Sequence, residues 1–147
     1  MIVRSATRDD IPAMAAATAR SYAVGFEDIL GPEILAGRDA AFFAERFADT
    51  WPRMRVADED GRILGVSLVT DAHLDMLFVD PEAIGRGAGA ALLRDVEARG
   101  ARTLECFRDN RAARRFYERQ GWRKEGEYER EFAGCQRAFV AYEKAVR

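Results

Sequence analysis

Three glycines alternate in Gly85-Arg86-Gly87-Ala88-Gly89-Ala90, directly ahead of a helical pattern that opens at Ala91-Leu92-Leu93. An apolar run with strand character, Leu74 to Val79, precedes them. Asp80-Pro81 ends that run, because proline donates no ladder hydrogen bond. Strand, glycine turn and helix together make an anion site. First-turn N–H groups have no intrahelical partner and carry the positive end of the helix dipole. Glycine lets the main chain approach a phosphate with no Cβ in the way. The stretch therefore predicts a phosphate-bearing ligand.

Other elements must position this stretch. Ile2 to Ala6 reads as a first strand. Thr7 or Asp9 caps a helix in which Ile11, Met14, Ala15, Thr18 and Tyr22 fall at helical spacing, fraying near Gly25. A second helix starts at Pro32 or Asp39 and runs to Ala48, with Gly37 as a break point. Arg53 to Asp58 and Arg62 to Thr70 read as a hairpin about Glu59-Asp60-Gly61. The central strand spans about Ala72 to Val79. The helix after the glycines points Leu92, Leu93 and Val96 inward and Arg94, Asp95 and Glu97 outward, and Gly100 stops it. Thr103 to Phe107 is a strand. Asp109 or Asn110 caps a helix that ends at Gly121, and strands from Trp122 and from Gln136 to Val146 close the chain. The order β-α-α-β-β-β-α-β-α-β-β predicts one α+β domain over 1–147, with a mixed, mostly antiparallel sheet flanked by helices on both faces. Only the central strand, its helix and the next strand form a parallel βαβ unit.

Composition narrows the function classes. The 147 residues are 48% hydrophobic and 33% charged, a globular mix. A net charge of −2 gives no electrostatic footprint for nucleic acid or an anionic membrane. Cys106 and Cys135 form no CxxC pair and there is one histidine, so no metal site is expected. Both cysteines read as buried thiols in a reducing compartment. The start, charged from Arg4, is no signal peptide, and no apolar run approaches the ~18 residues that span a bilayer. A soluble cytoplasmic protein is expected.

Gly85-x-Gly87-x-x-Ala90 also fits the dinucleotide fingerprint, with Glu105 about twenty residues on. Against it, Asp80 to Ile84 separate the strand from the glycines, and there is only one clear βαβ unit. No Gly-Lys-Ser/Thr follows, so there is no P-loop.

Val79-Asp80-Pro81, the Gly-x-Gly-x-Gly turn, and the later run from Asn110 through Phe116-Tyr117 to Gly121-Trp122 resemble the GNAT superfamily of acetyl-CoA-dependent N-acetyltransferases. The resemblance is strong from about Leu64 to Trp122. It implies that the main chain at Leu77, Phe78 and Val79 pairs with the pantetheine arm. The amides of Gly85, Arg86, Gly87, Ala88, Gly89 and Ala90 would hold the pyrophosphate. Asn110 would contact the pantetheine, and Tyr117 of the Phe116-Tyr117 pair would sit beside the thioester sulfur. One departure is Ile84, where the family turn usually begins with Arg or Gln; Arg86 is a second source of positive charge. Dimers are common in the family, which extends to this chain as an expectation of a homodimer.

Helical spacing agrees. At 100° per residue Asn110, Ala113, Arg114 and Tyr117 share one side of their helix. Ala113 leaves room for a cofactor, and Arg114 can approach its phosphates. Arg111, Arg115 and Arg119 form a stripe that reads as a solvated face.

The implied reaction is attack of a primary amine, on a small molecule or a peptide N-terminus, on the thioester carbonyl. An alkyl ammonium group with a pKa of ~10.4 must first lose a proton. Some members use a glutamate six residues before the Val79 position. Here that residue is His73, and imidazole, with an ordinary pKa of ~6.5, suits the task. Asp75, on the same strand face, would orient His73, replace it, or share a water relay with it. An amide near Val79 would stabilise the carbonyl oxygen, and Tyr117 would protonate the departing thiolate. Tyr22, Phe26, Trp51, Tyr128 and Phe132 are candidates to line the acceptor site, or else core. Glu27 and Asp28 would attract a cationic amine, or else are plain surface. The alternative function is a non-catalytic acyl-CoA-binding or sensor module.

Overall fold

The computed structural model describes residues 1–145. Seven strands form one sheet: β1 (Ile2–Ser5), β2 (Met54–Glu59), β3 (Arg62–Thr70), β4 (His73–Val79), β5 (Thr103–Phe107), β6 (Arg123–Phe132) and β7 (Cys135–Glu143). Their order is β1-β2-β3-β4-β5-β7-β6. Every neighbouring pair is antiparallel except β4 with β5. Helices α1 (Ile11–Gly25), α2 (Pro32–Gly37) and α3 (Ala40–Thr50) cover one face, and α4 (Ala88–Ala98) and α5 (Arg111–Arg119) the other. The expected α+β architecture holds.

Side chains that alternate along the strands feed two cores. Met54, Val56 and Val66 meet Met14, Phe43 and Phe47 under α1 and α3. Leu74, Leu104 and Val140 meet Leu93, Val96 and Tyr117 under α4 and α5. β3 is buried from Ile63 to Leu68, and apolar there except for Ser67, because both its faces are covered. At Gly65 a Cβ would lie 2.7 Å from the Phe78 carbonyl oxygen and 2.9 Å from Leu92, so β3, β4 and α4 approach closely only because that residue is glycine.

Several boundaries differ from expectation. Before α1, the Asp10 carboxylate accepts from the Thr7 N–H at 2.8 Å, so Thr7 and Asp10, not Asp9, organise the entry. The second helix divides at Gly37 as its break point implies, and Asp39 restarts the chain by accepting from the Phe42 N–H at 2.9 Å, but α3 runs past the expected Ala48 to Thr50. β7 stops at Glu143; Val146, its expected end, lies outside the described residues. Leu92, Leu93 and Val96 are fully buried. Asp95 and Glu97 do not simply face solvent. Asp95 takes both prongs of Arg55 from β2, and Glu97 accepts from the Trp122 indole at 2.9 Å. Both cysteines are free. Cys106 is half-buried, but Cys135, expected to be buried, is exposed at the start of β7. Among the described residues no helix is long and apolar enough to cross a membrane.

Candidate active site

The site begins where the sheet opens. β4 and β5 pair only at His73 with Thr103 and Leu74 with Leu104. On the other side of β4, Leu74 faces Val69 and Met76 faces Leu68, which leaves Asp75 as an extra residue. Such a bulge bends its strand and disrupts the ladder. Beyond it β4 stays with β3 and leaves β5. The Asp80 N–H bonds the Leu64 carbonyl at 2.8 Å. Main-chain groups alternate along a strand, so those of Leu77 and Val79 face the gap, with no strand partner there. The gap is a cleft of about 520 Å³.

One wall belongs to α5. Asn110 caps this helix, its Oδ1 accepting from the Ala113 N–H at 3.2 Å, and also lines the cleft. Ala113, Phe116 and Tyr117 continue that wall. Among the described residues the Tyr117 hydroxyl has no hydrogen-bond partner, although the residue is only 8% exposed. Burial pushes its phenol above the ordinary value, and Cys106 beside it adds to the effect. Burial also pushes the Cys106 thiol up to about 12. At neutral pH this wall therefore carries a protonated phenol and a protonated, unreactive thiol.

The glycine loop stands at the end of β4. Gly85 and Gly87 have φ of 90° and 81°, and Gly87 opens α4 from that left-handed conformation. The N–H groups of Gly87, Ala88, Gly89 and Ala90 find no acceptor among the described residues. Gly89 lines the cleft, and Gly85, Arg86, Gly87, Ala88 and Ala90 continue the loop beyond it. Ala88 buries its methyl group in the core, which leaves its N–H as its free group. Arg86 is exposed and bonds Glu59 at 2.6 Å. Ile84 is exposed at the cleft edge. Arg114 does not line the cleft; it donates to the Tyr142 hydroxyl at 3.2 Å and to the Arg108 carbonyl at 3.1 Å.

The opposite wall contains Tyr22 of α1 and Phe26 just after it, with Phe78 of β4 and Phe132 of the β6–β7 hairpin. Trp51 instead packs near Arg8, and Tyr128 lies on the surface. His73 lines the closed end, its Nδ1 2.8 Å from the Thr103 hydroxyl oxygen. Thr103, rather than the expected Asp75, is the partner of that ring; Asp75 lines the cleft from the bulge.

Two carboxylates, Glu105 and Asp80, have partners that the sequence did not signal. Glu105 lines the cleft on the aromatic side and pairs with Arg130, whose guanidinium lies 4.1 Å over the Phe139 ring. Alternation along β5, with Leu104 and Cys106 to one side, assigns Glu105 to the other, but only the parting of the strands makes that side a cleft. Asp80 is a buried carboxylate that accepts from the Glu82 N–H at 3.0 Å, and the Arg20 guanidinium holds it below the usual carboxylate range. Asp80-Pro signals a turn but not that partner. Among the described residues no group of His, Cys, Asp and Glu has the make-up of a metal site.

A family model of the acetyltransferase (GNAT) domain matches residues 36–146. The chain belongs to the GNAT family. As a GNAT domain it is an acetyltransferase, and its relatives agree. It is 32% identical over 133 residues to the uncharacterized N-acetyltransferase Rv2669 of Mycobacterium tuberculosis, covering 80% of this chain and 85% of that one. It is 41% identical over 69 residues to the peptidyl-lysine N-acetyltransferase YiaC of Escherichia coli, a match spanning 46% of this chain and 47% of YiaC. The PaiA N-acetyltransferase of Thermoplasma acidophilum, solved in complex with coenzyme A, shares the fold at a TM-score of 0.77, with 16% identity over 98% of each chain. In this GNAT domain the open edge of β4 and the donor-rich glycine loop are consecutive in the chain.

Proposed function

We propose that the protein transfers the acetyl group of acetyl-CoA to a primary amine, by direct attack of the amine on the thioester. The observation that carries this reading is two sets of unused main-chain groups at the same end of β4. Leu77 and Val79 offer open main chain, and the N–H groups of Gly87, Ala88, Gly89 and Ala90 follow. The amide-bearing arm of CoA suits the first part and its pyrophosphate the second. Acetyl-CoA supplies an activated carbonyl.

The chain's own residues do the rest. The main-chain N–H of Val79 stabilises the charge that grows on the carbonyl oxygen. Asn110 binds the arm, with Ala113 and Phe116 shaping its wall. Tyr117, whose phenol keeps its proton, donates it as the C–S bond breaks and the C–N bond forms. His73, held at Nδ1 by Thr103, leaves Nε2 to take the amine proton directly or through water, with Asp75 nearby. Tyr22 and Phe26 shape the acceptor wall. The name of YiaC supports an amine acceptor, on a peptide or a small molecule.

The test is amine-dependent release of CoA thiol, with the product weighed by mass spectrometry. An amine heavier by one acetyl group, in step with thiol release, is expected. Thiol release without an acetylated amine, or no release, contradicts the proposal.

A further inference from the structure

The acceptor side of the cleft carries two guanidinium groups, Arg38 and Arg46, over one aromatic ring. Arg38, which closes α2, places its guanidinium 4.5 Å from the centre of the Phe42 ring and 5.5 Å from that of Phe132. Arg46 of α3 lies 4.6 Å from the same Phe42 ring. Among the described residues neither guanidinium has a carboxylate within ion-pair distance or a hydrogen-bond acceptor. Two cations sharing one ring repel each other, an arrangement relieved by an anion. Their charge reaches the Tyr22 hydroxyl, where it offsets part of the upward push of burial. That hydroxyl has no hydrogen-bond partner among the described residues.

Two carboxylates of this side already have partners. Glu105 is paired with Arg130, and the Asp39 carboxylate accepts from the Phe42 N–H. Glu27 and Asp28 are exposed in the segment after α1. Phe132, which Arg38 adjoins, and Tyr22 both line the cleft. The Tyr22 ring centre is 5.2 Å from that of Phe78, and the next residue is Val79, whose main chain faces the gap. A molecule anchored at Arg38 and lying along these two rings therefore presents its far end to the reaction gap.

We infer that the acceptor bears a carboxylate, and that Arg38 together with the Tyr22 hydroxyl holds it at the cleft mouth while the amine enters. This rests on the acetyl-transfer reading above. One guanidinium edge and one hydroxyl suit a planar anion with a single charge.

The test uses paired amines that differ only in the carboxylate: Nα-acetyl-lysine against N-acetylcadaverine, and acetyl-Glu-Lys-amide against acetyl-Gln-Lys-amide. The first pair reports a free amino acid and the second a peptide. Wild-type kcat/KM is expected to favour the acid of one pair at least tenfold, through KM. In Arg38→Gln that preference should collapse toward one, and Arg38→Lys should restore part of it. A thermal melt shows whether each variant folds, and the wild-type ratios stand without any variant. Turnover of both amines with no preference overturns this inference and leaves the transferase reading intact. A preference that survives in folded Arg38→Gln overturns the assignment to Arg38. No turnover of any amine overturns the transferase reading and this inference with it.

Discussion

Arg20 and Asp80 form a two-pronged ion pair, Nε to Oδ1 at 3.2 Å and Nη2 to Oδ2 at 2.5 Å. The pair ties α1, which carries Tyr22 and leads into Phe26, to the turn that leads from β4 into the glycine loop. It thus couples the proposed acceptor wall to the proposed phosphate cradle. Asp80 is 1% exposed and Arg20 is 45% exposed at its side chain, so one end is dry and the other wet.

Asp80→Asn should therefore destabilise the fold by about 1–2 kcal/mol at pH 7, toward the low end of charged hydrogen bonds because Arg20 is partly solvated. The pH dependence has a definite sign. The folded carboxyl titrates below its ordinary ~3.9, so its contribution is complete above that pH and fades as pH falls through the lower folded value. Thermal melts from pH 7 down to pH 2 should show a shallower acid loss in Asp80→Asn than in the wild type. Parallel curves would show that the pair adds nothing.

Three glycines separate packing from ligand binding. At Gly65 an added methyl group strikes the Phe78 carbonyl oxygen and Leu92, and Gly65→Ala should cost about 1–3 kcal/mol of stability. At Gly87 the left-handed φ makes Gly87→Ala costly by about 1 kcal/mol. At Gly89 a Cβ would sit 3.5 Å from Phe116 and Val79, an ordinary contact. Gly89→Ala should keep its melting temperature and lose roughly tenfold in CoA affinity, about 1.4 kcal/mol. Unchanged affinity would move the ligand away from the start of α4.

Tyr117→Phe removes a hydroxyl with no partner among the described residues and leaves the ring between Trp122 and Tyr142. Stability should shift by less than about 0.5 kcal/mol. Turnover should fall roughly 10²-fold, as for loss of a general acid, with CoA affinity unchanged. Equal loss of CoA binding would recast Tyr117 as a wall residue.

Proton removal distinguishes His73 from Glu105, since both line the cleft but on different strands. His73→Gln should lower kcat about 10²-fold, and Thr103→Val, which only frees the ring, should lower it less. Glu105→Gln should act mainly through KM, by releasing Arg130 into the cleft. A His73→Gln enzyme with wild-type turnover alongside an inactive Glu105→Gln would transfer the base to β5.

Local signals made much of this legible. Asp80-Pro81, the alternating glycines and Asn110 mark the end of a strand and the starts of two helices, and β4, α4 and α5 end or begin there. The rest depends on register. Asp75 is the bulge because Leu68 faces Met76 while Val69 faces Leu74, a mismatch between strands that neither strand encodes alone. The cleft, the open edge of β4 and the exposure of Glu105 to it lie directly beyond that residue. Long-range ion pairs were equally hidden. Arg20 with Asp80, Arg55 with Asp95 and Arg86 with Glu59 join residues far apart in sequence whose types alone suggest solvated surface. Arg114 shares a helix side with Tyr117 as spacing requires, yet its long side chain turns to Tyr142.

Calorimetric titration with acetyl-CoA, with NADH as the comparison, tests the central claim most directly. Saturable binding of acetyl-CoA without binding of NADH, weakened in Gly89→Ala, is the outcome this account requires. No binding of acetyl-CoA, or binding of NADH in its place, would contradict it.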